Sequence, residues 1–168
     1  NGATLTADRN GNLNSAYYFS SSSCSPRIDA NVNTSSINGE ISMSIWLTRE
    51  GNGCLGPRVF EAWPGSDNEG HFVMSWSNSD SWPNSWYLRV DGANGVGIPS
   101  SNSGVSVPNG QWTNMIYVNN GTTTKVFQDG IQISQINNPP NANIILGSDI
   151  AIGRMNHAAW DAFNGNID

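Results

Sequence analysis

Short apolar segments recur along the whole chain, separated by clusters of Gly, Asn, Ser and Pro. Typical segments read "ISMSIWLT", "RVFEAW", "HFVMSWS", "NMIYVN" and "IQISQI". Segments of this length with turn residues between them predict antiparallel β-strands, and no window shows a convincing helical period. The pattern therefore predicts an all-β protein, arranged as a two-sheet antiparallel β-sandwich of the jelly-roll kind.

The strongest turn signals lie between residues 111 and 133, in "QWTNMIYVNNGTTTKVFQDGIQI". Asn120-Gly121 and Asp129-Gly130 are the dipeptides that tight hairpin turns favour, because both accept a positive φ angle. Apolar runs flank each of them. The stretch therefore predicts two consecutive β-hairpins.

This stretch resembles the Trp-Thr-His-Val-Ala, Asp-Gly and Tyr-Val-Asn-Gly series of the LamG-like, concanavalin A-like lectin/glucanase domains. Four other pieces resemble the same family in order: "DRNGNLNSAYYFS", "ISMSIWLTRE", "IAIGR" and "FNGNID". The resemblance covers nearly the full chain and implies a concanavalin A-like jelly roll. Two departures are that Asn114 replaces the usual His, and that the sequence stops at Asp168 where the family continues into a last strand.

The length of the chain and its uniform composition indicate how many domains it contains. No change in composition marks a linker, and 168 residues suffice for one domain with a sizeable core. We expect a single LamG-like domain over residues 1–168. The chain opens at Asn1 without Met, so we also expect it to be excised from a larger protein with neighbouring domains.

Charge and hydropathy exclude two classes of partner. Seven Lys and Arg, with a net charge of −6, cannot build the basic surface that nucleic acid requires. No apolar run approaches the roughly 20 residues of a membrane span, so we expect no membrane insertion. Polarity comes mainly from Asn, Ser, Thr and Gly, which suits an extracellular or cell-surface protein and gives good partners for sugar hydroxyls.

The cysteines are Cys24 and Cys54, and neither belongs to a CxxC pair or a metal-ligand cluster. In an exported protein they predict one disulfide. The alternative is two free thiols in a reducing compartment.

Catalysis has little support in the sequence. The glycosidases that resemble this fold carry Glu-X-Asp-X-Glu or a similar strand, because a retaining enzyme needs two carboxyls about 5–5.5 Å apart. The glutamates are isolated from one another: Glu40, Glu50, Glu61 and Glu69. We therefore predict that the protein is not an enzyme.

The tryptophans divide into two groups. Trp46 and Trp112 match strand positions of the family's core, and we expect both to be structural. Others lie in what read as polar loops, "SDSWPNSW" and "NHAAWDAF", where an indole can stack on a pyranose ring while neighbouring polar groups bond its hydroxyls. The predicted glycan-binding residues are Trp82, Trp86, Trp160, Asp80, Asn84, His157 and Asp161. The alternative is that these indoles cover the ends of the sandwich.

A structural Ca²⁺ is the one cofactor we predict. "DRNGN" supplies oxygen-bearing side chains at Asp8, Asn10 and Asn12 in a compact loop, as hard cations require. In glucanases that the fold resembles, calcium lies between the N-terminal segment and an Asp of the last strand, which corresponds to Asp168 here. The alternative is an Asx-turn stabilised by its own side chains.

Two functions remain. The leading hypothesis is a non-catalytic carbohydrate-binding module of an exported or cell-surface protein, with a polysaccharide or glycan as partner. The rival is a structural or adhesive domain of a large surface protein that binds no glycan.

Overall fold

The computed structural model describes residues 2–20, 22, 24–32, 40–51, 54, 57–63, 72–79, 82–91, 97–102, 108–138, 149–154 and 162–168. These residues form thirteen β-strands and no helix. The strands are Thr4–Thr6 (β1), Ala16–Phe19 (β2), Ile28–Asn31 (β3), Glu40–Arg49 (β4), Arg58–Trp63 (β5), Phe72–Ser79 (β6), Trp82–Asp91 (β7), Gly97–Asn102 (β8), Thr113–Asn120 (β9), Thr123–Gln128 (β10), Ile131–Asn137 (β11), Asp149–Ile152 (β12) and Gly165–Ile167 (β13).

The strands build two antiparallel sheets. One has seven strands in the order β1-β2-β13-β4-β9-β10-β11, and the other has six in the order β3-β12-β5-β6-β7-β8. Strands from both ends of the chain meet inside the first sheet, because β13 pairs with β2 on one side and with β4 on the other. The predicted all-β, two-sheet antiparallel sandwich is therefore confirmed.

The core lies between the sheets and follows from the alternation of side chains along each strand. In β4, Ile45 and Leu47 are buried while the residues between and beside them belong to the other face. Tyr117 of β9 and Phe19 of β2 have no exposed surface and belong to the same cluster. Each fully buried side chain of this size stabilises the fold by about 1.5–3 kcal/mol relative to exposure.

The two predicted hairpins are present. β9 and β10 are joined at Gly121, whose φ is +82°, and β10 and β11 are joined at Asp129 and Gly130, whose φ values are +49° and +81°. Positive φ at both central residues matches the twist of the flanking strands and explains the Asp-Gly pair. The Asp129 side chain adds a bond, because its Oδ1 accepts from the backbone N–H of Asn114 at 2.8 Å.

The predicted disulfide is also present. Cys24 and Cys54 are bonded with their Cα atoms 5.9 Å apart, at a sequence separation of 30 residues. The backbone N–H of Cys54 donates to the carbonyl of Ala162 at 3.1 Å. The bond therefore ties the segment before β3 and the segment before β5 together next to the C-terminal part of the chain.

Three tryptophan placements correct the sequence interpretation. Trp82 and Trp86 lie within strand β7 and not in a loop, as does Asn84 between them. Pro83 and Asn84 read as turn residues, but a shift of register between Ser77 and Ser79 of the partner strand marks an irregularity there, the setting in which Pro is tolerated in a sheet. Trp112 precedes β9 instead of lying in it.

Trp46 was expected in the core but lies on the opposite face of β4. It alternates with Ile45 and Leu47, which point into the core, and it is only partly buried. The core expectation rested on the match to strand positions of the family's core, yet Trp46 shares its face with Ser44 and Thr48.

Among the residues that the structure describes, no helix has the length and hydropathy to cross a bilayer.

Candidate functional site

A mixed aromatic, charged and polar surface lies at the centre of the outer face of the seven-stranded sheet. We call it the Trp46 face and define it by Arg9, Ser44, Trp46, Asn114 and Asp168. Strand register brings these residues together: Trp46 of β4 pairs with Asn114 of β9. On its other side, Trp46 exchanges two backbone hydrogen bonds with Asp168, at 3.2 and 2.9 Å.

Arg9 links the aromatic and acidic parts of this face. Its guanidinium carbon lies 4.9 Å from the centroid of the Trp46 ring, a cation–π distance. Its Nη1 donates to Oδ2 of Asp168, and the side chains of Arg9 and Asp168 are 35% and 19% exposed. The face therefore holds a guanidinium and a carboxylate in fixed positions while leaving part of each in contact with solvent.

The loop that delivers Arg9 is held by its own side chains. Asp8 Oδ1 accepts from the backbone N–H groups of Asn10 and Asn12, both at 2.8 Å, and Asp8 Oδ2 accepts from Asn12 Nδ2 at 2.9 Å. The backbone N–H of Asp8 also donates to the carbonyl of Asn12 at 3.0 Å. The hydrogen bond from the Asn12 side-chain amide is the main cause that lowers the pKa of Asp8. The carboxylate therefore keeps its charge, and its hydrogen bonds maintain the shape of the turn.

This arrangement does not fit a calcium ion without rearrangement. Both oxygens of Asp8 already accept hydrogen bonds, and the positive guanidinium of Arg9 occupies the position beside Asp168 that a cation would need. Within the described ranges no three or more His, Cys, Asp or Glu residues group as a metal site would require. The contacts match the Asx-turn alternative, and calcium binding by Asp8, Asn10, Asn12 and Asp168 stays a prediction.

Asn114, which stands in place of the family's usual His, anchors the other side of the face. It is 8% exposed, and its Nδ2 donates to Ser44 Oγ at 3.1 Å and to the Ile45 carbonyl at 3.3 Å. Ser44 is exposed, and its hydroxyl accepts from Asn114, so the hydroxyl hydrogen remains free to donate to a ligand.

The predicted glycan-binding residues are only partly described. Trp82, Asn84 and Trp86 lie in β7 of the six-stranded sheet, with Trp86 opposite Trp76 in the register. The remaining residues of that prediction fall outside the described part of the chain: Asp80, His157, Trp160 and Asp161. Whether the two segments meet therefore stays a prediction.

Sequence reasoning missed the Trp46 face, although a signal for it was present. Trp46 shares its strand face with Ser44 and Thr48, and polar neighbours on one face are the pattern of a solvent-facing strand surface and not of a core. The contribution of Arg9 had no such signal, because the Asp8 turn brings it onto the sheet from a distant part of the sequence.

Comparison with known proteins gives one family match. The model of the concanavalin A-like lectin/glucanases superfamily called Laminin_G_3 matches residues 22–168. No curated protein sequence matches significantly.

Solved structures with similar folds share little sequence. Domain 4 of AbnA, an extracellular arabinanase of Geobacillus stearothermophilus, aligns with a TM-score of 0.69 and 17% identity over 100% of this chain and 73% of its own. The native heptameric SAP-like pentraxin of Limulus polyphemus gives 0.60 and 14% over 86% of this chain and 67% of its own. Domains LG4-5 of the mouse laminin α1 chain give 0.60 and 11% over 90% of this chain and 39% of theirs.

These structural similarities, at such low identity, show the fold alone. The family match is a sequence match, and it spans all the strands from β3 to β13. With its two-sheet antiparallel architecture, the chain belongs to the concanavalin A-like lectin/glucanase superfamily.

Proposed function

We propose that this protein is a non-catalytic carbohydrate-binding domain of an exported or cell-surface protein. The observation that carries the proposal is the Trp46 face, where an indole, a guanidinium–carboxylate pair and an exposed hydroxyl lie side by side on a rigid sheet. Sugars present a ring of hydroxyls, and the guanidinium, the carboxylate and the Ser44 hydroxyl offer hydrogen-bonding partners for them, while the indole supports the guanidinium of Arg9 from below.

The hydrogen-bonding groups of the face are already positioned by the fold. The Asp8 turn and the ion pair with Asp168 fix Arg9, while Asn114 fixes Ser44. Groups held in place before binding lose little conformational entropy when a ligand arrives, so such a surface can bind a flexible sugar with useful affinity. Charged donors and acceptors also form stronger hydrogen bonds than neutral ones.

Two features of relatives support the proposal. The structure of AbnA domain 4 is of a complex with arabinotriose, and the laminin domains are parts of a larger chain. The disulfide supports an exported location, since such bonds persist in oxidising compartments. We infer polysaccharides or glycans as the partner class and neighbouring domains of the same polypeptide as further contacts.

The absence of catalysis is part of the proposal, and the placement of the described glutamates supports it. Glu61 is fully buried in β5, where no substrate reaches it. Glu40 begins β4 and Glu50 follows its end, so they lie about 34 Å apart at about 3.4 Å per residue. A pair of glycosidase carboxyls must lie within about 5–10 Å of each other.

A glycan array on the purified domain, with and without calcium, tests the function, and calorimetry with the best glycan then locates the site. Arg9→Ala and Trp46→Ala should each weaken binding about tenfold or more if the Trp46 face binds the sugar. Tyr17→Ala is the matched control, since it removes an aromatic ring that is 44% exposed and lies on the opposite face of the same sheet, in register with the core residue Ile167. Circular dichroism must show that each variant is folded.

The same assay tests the sequence-predicted surface on other residues. Loss of binding in Trp82→Ala, Trp86→Ala and Trp160→Ala, with full binding in the Trp46 variant, would move the site there. No glycan bound above background in any condition would contradict the proposal and favour the structural or adhesive alternative.

A further inference from the structure

Three of the six arginines of the chain gather at one end of the six-stranded sheet. β12 lies between β3 and β5 and runs antiparallel to both, so its end lies beside their beginnings. Arg27 directly precedes β3, Arg58 begins β5, and Arg154 follows the end of β12. At about 4.8 Å between neighbouring strands, the three positions span about 10 Å across the sheet. We call these three residues the arginine row.

Ala162 fixes the backbone of two members of the arginine row. It forms β-bridges with both Arg58 and Arg154, and none of its surface is exposed. Its carbonyl also accepts the backbone N–H of Cys54 at 3.1 Å, and the disulfide ties that segment to the one that leads into β3. The three strand ends are therefore fastened together, and the arginine side chains extend from backbone positions that the fold sets.

Arg154 carries a buried hydrogen-bond donor without an acceptor. Its Nε is buried and has no hydrogen-bond partner among the residues that the structure describes. The charge of Arg27 repels the Arg154 guanidinium, and that of Asp29 attracts it. Burial, above all, and the repulsion from Arg27 lower the pKa of Arg154. A buried donor without an acceptor costs free energy, so an anion beside Arg154 would be stabilising.

The surroundings of Arg154 are open enough for a ligand. Arg154 itself is partly exposed, and the side chains of Arg27 and Asp29 are 27% and 47% exposed. Both oxygens of Asp29 lie close to Arg27 Nε, at 2.8 and 3.1 Å. Asp29 is thus engaged with Arg27, and turning the Arg154 side chain towards a ligand breaks no hydrogen bond at its Nε.

We propose that Arg154 and Arg27 form an oxyanion site, which takes the carboxylate or the sulfate group of an acidic sugar residue. A guanidinium donates parallel N–H bonds in a fixed fork, and two oxygens of either group match that fork. The bound anion would also offset the repulsion between the two arginines. The site lies on the other sheet from the Trp46 face, and its ligand class rests on the proposed function in carbohydrate binding.

Charge selects single oxyanion groups over a dense polyanion. The arginine row carries three positive charges, of which Asp29 offsets one, whereas the whole chain has a net charge of −6. Nucleic acid gains its affinity from many phosphate contacts, so the rest of this acidic surface would repel it. A carboxylate or sulfate on an otherwise neutral sugar chain meets only the local positive charge.

Matched ligands test the charge requirement by calorimetry on the 168-residue chain. Oligogalacturonate and its methyl ester differ in the carboxylate, and a sulfated galactan oligosaccharide and its desulfated form differ in the sulfate. We expect the acidic member of at least one pair to bind at least about tenfold more tightly than its neutral form. The pair that shows the difference identifies the anionic group. Equal binding within both pairs would overturn the proposal.

Two variants locate the anionic group at Arg154. Arg154→Gln should weaken binding of the acidic ligand about tenfold or more and leave the neutral ligand unchanged. Lys125→Gln is the matched control, because it changes the net charge equally but lies in β10 of the other sheet, and it should bind like the wild-type chain. Thermal melts must show that both variants are folded. Equal affinity of Arg154→Gln and the wild-type chain would overturn the proposal.

Asp29→Asn gives an effect of the opposite sign. It removes the carboxylate that is engaged with Arg27, so it should tighten binding of the acidic ligand by about twofold or more. A structural role of Arg154 alone would not produce this gain. Weaker or unchanged binding of the acidic ligand by Asp29→Asn would contradict the site.

The same measurements separate this site from the Trp46 face. Loss of binding in Trp46→Ala with full binding in Arg154→Gln would overturn the oxyanion site and leave the proposed function standing. If no glycan of either kind binds, the proposed function fails, and titration with sodium sulfate and sodium acetate tests the site alone. A saturable shift of the Arg154 Nε–H resonance in NMR spectra, absent with sodium chloride, would support the oxyanion site, and no shift would overturn it.

Discussion

Removing the Cys24–Cys54 disulfide should lower the melting temperature by about 10 °C. The bond closes a loop with a sequence separation of 30 residues, and constraining a loop of this size removes about 12 cal/mol/K from the unfolded chain, or about 4 kcal/mol at 25 °C. Unfolding entropy is about 2.1 cal/mol/K per residue, hence about 0.35 kcal/mol/K for 168 residues. Dividing the lost stabilisation, about 4 kcal/mol, by the unfolding entropy, about 0.35 kcal/mol/K, gives the expected shift in melting temperature.

Thermal melts followed by circular dichroism would measure the shift in Cys24→Ala, Cys54→Ala and the double variant. The three should melt at nearly the same temperature, because the first substitution already removes the bond. A reductant supplies an internal control: it should lower the melting temperature of the wild-type chain and leave the double variant unchanged. The backbone bond from residue 54 to Ala162 survives the substitution, so the assay isolates the crosslink.

A shift below about 3 °C in the double variant would refute the reasoning. It would mean that the two segments already stay close together in the unfolded chain, or that strain in the native state offsets the stabilisation from the constrained loop. A reductant effect of the same size in the double variant would show that the reagent acts elsewhere.

Three further predictions concern other parts of the molecule. Gly165→Ala should lower the free energy of unfolding by more than about 3 kcal/mol or prevent folding, because φ is +146° and the new Cβ would lie 1.9 Å from a carbonyl oxygen of β4. Gly130 also has a positive φ but faces open space, so Gly130→Ala should lower it by only about 1–2 kcal/mol, as measured by chemical denaturation. Burial raises the pKa of Tyr117 to about 12, whereas the unfolded chain loses this proton near pH 10. The free energy of unfolding should therefore fall as the pH rises from 10 towards 12, by on the order of 2–3 kcal/mol, which denaturant titrations at a series of pH values would measure. If calcium binds at Asp168, it must displace Arg9, and calcium should then raise the melting temperature of Arg9→Ala more than that of the wild-type chain; no effect on either would end the calcium hypothesis.

The hairpins could be predicted from sequence because their signals are local. Asp129-Gly130 encodes a turn whose φ angles only a few residue types adopt, and the apolar runs on each side fix the register. The strands that were missed are short or lack apolar alternation, such as Thr4–Thr6 and Gly97–Asn102, and they exist through pairing with a neighbour. Such pairing is a tertiary effect that no window of sequence contains.

The candidate site was less predictable for a related reason. Trp46 could have been assigned to the outer face because Ser44 and Thr48 share its strand face, but its partners come from three other segments of the chain. Trp82 and Trp86 were taken for loop residues because Pro83 and Asn84 lie between them, and β7 continues through both. For Trp82 and Trp86, the pairing of β7 with its neighbours β6 and β8 overrode the local turn signal, whereas for Trp46 only the partners from other segments lay beyond the local pattern.

The position of β13 between β2 and β4 has a consequence for how the protein folds. Gly165 pairs with Phe19, nearly the whole chain length away, so this part of the sheet closes only after a long loop has been ordered. The β9–β10–β11 unit uses contacts between neighbours in sequence and can form early, whereas the sheet centre belongs to the slow, high-contact-order class. During synthesis, the edge of β4 that pairs with β13 must therefore stay open until Gly165–Ile167 have emerged. An interrupted or slowed chain would expose that edge to other strands, which makes this pairing the step at which aggregation competes with folding.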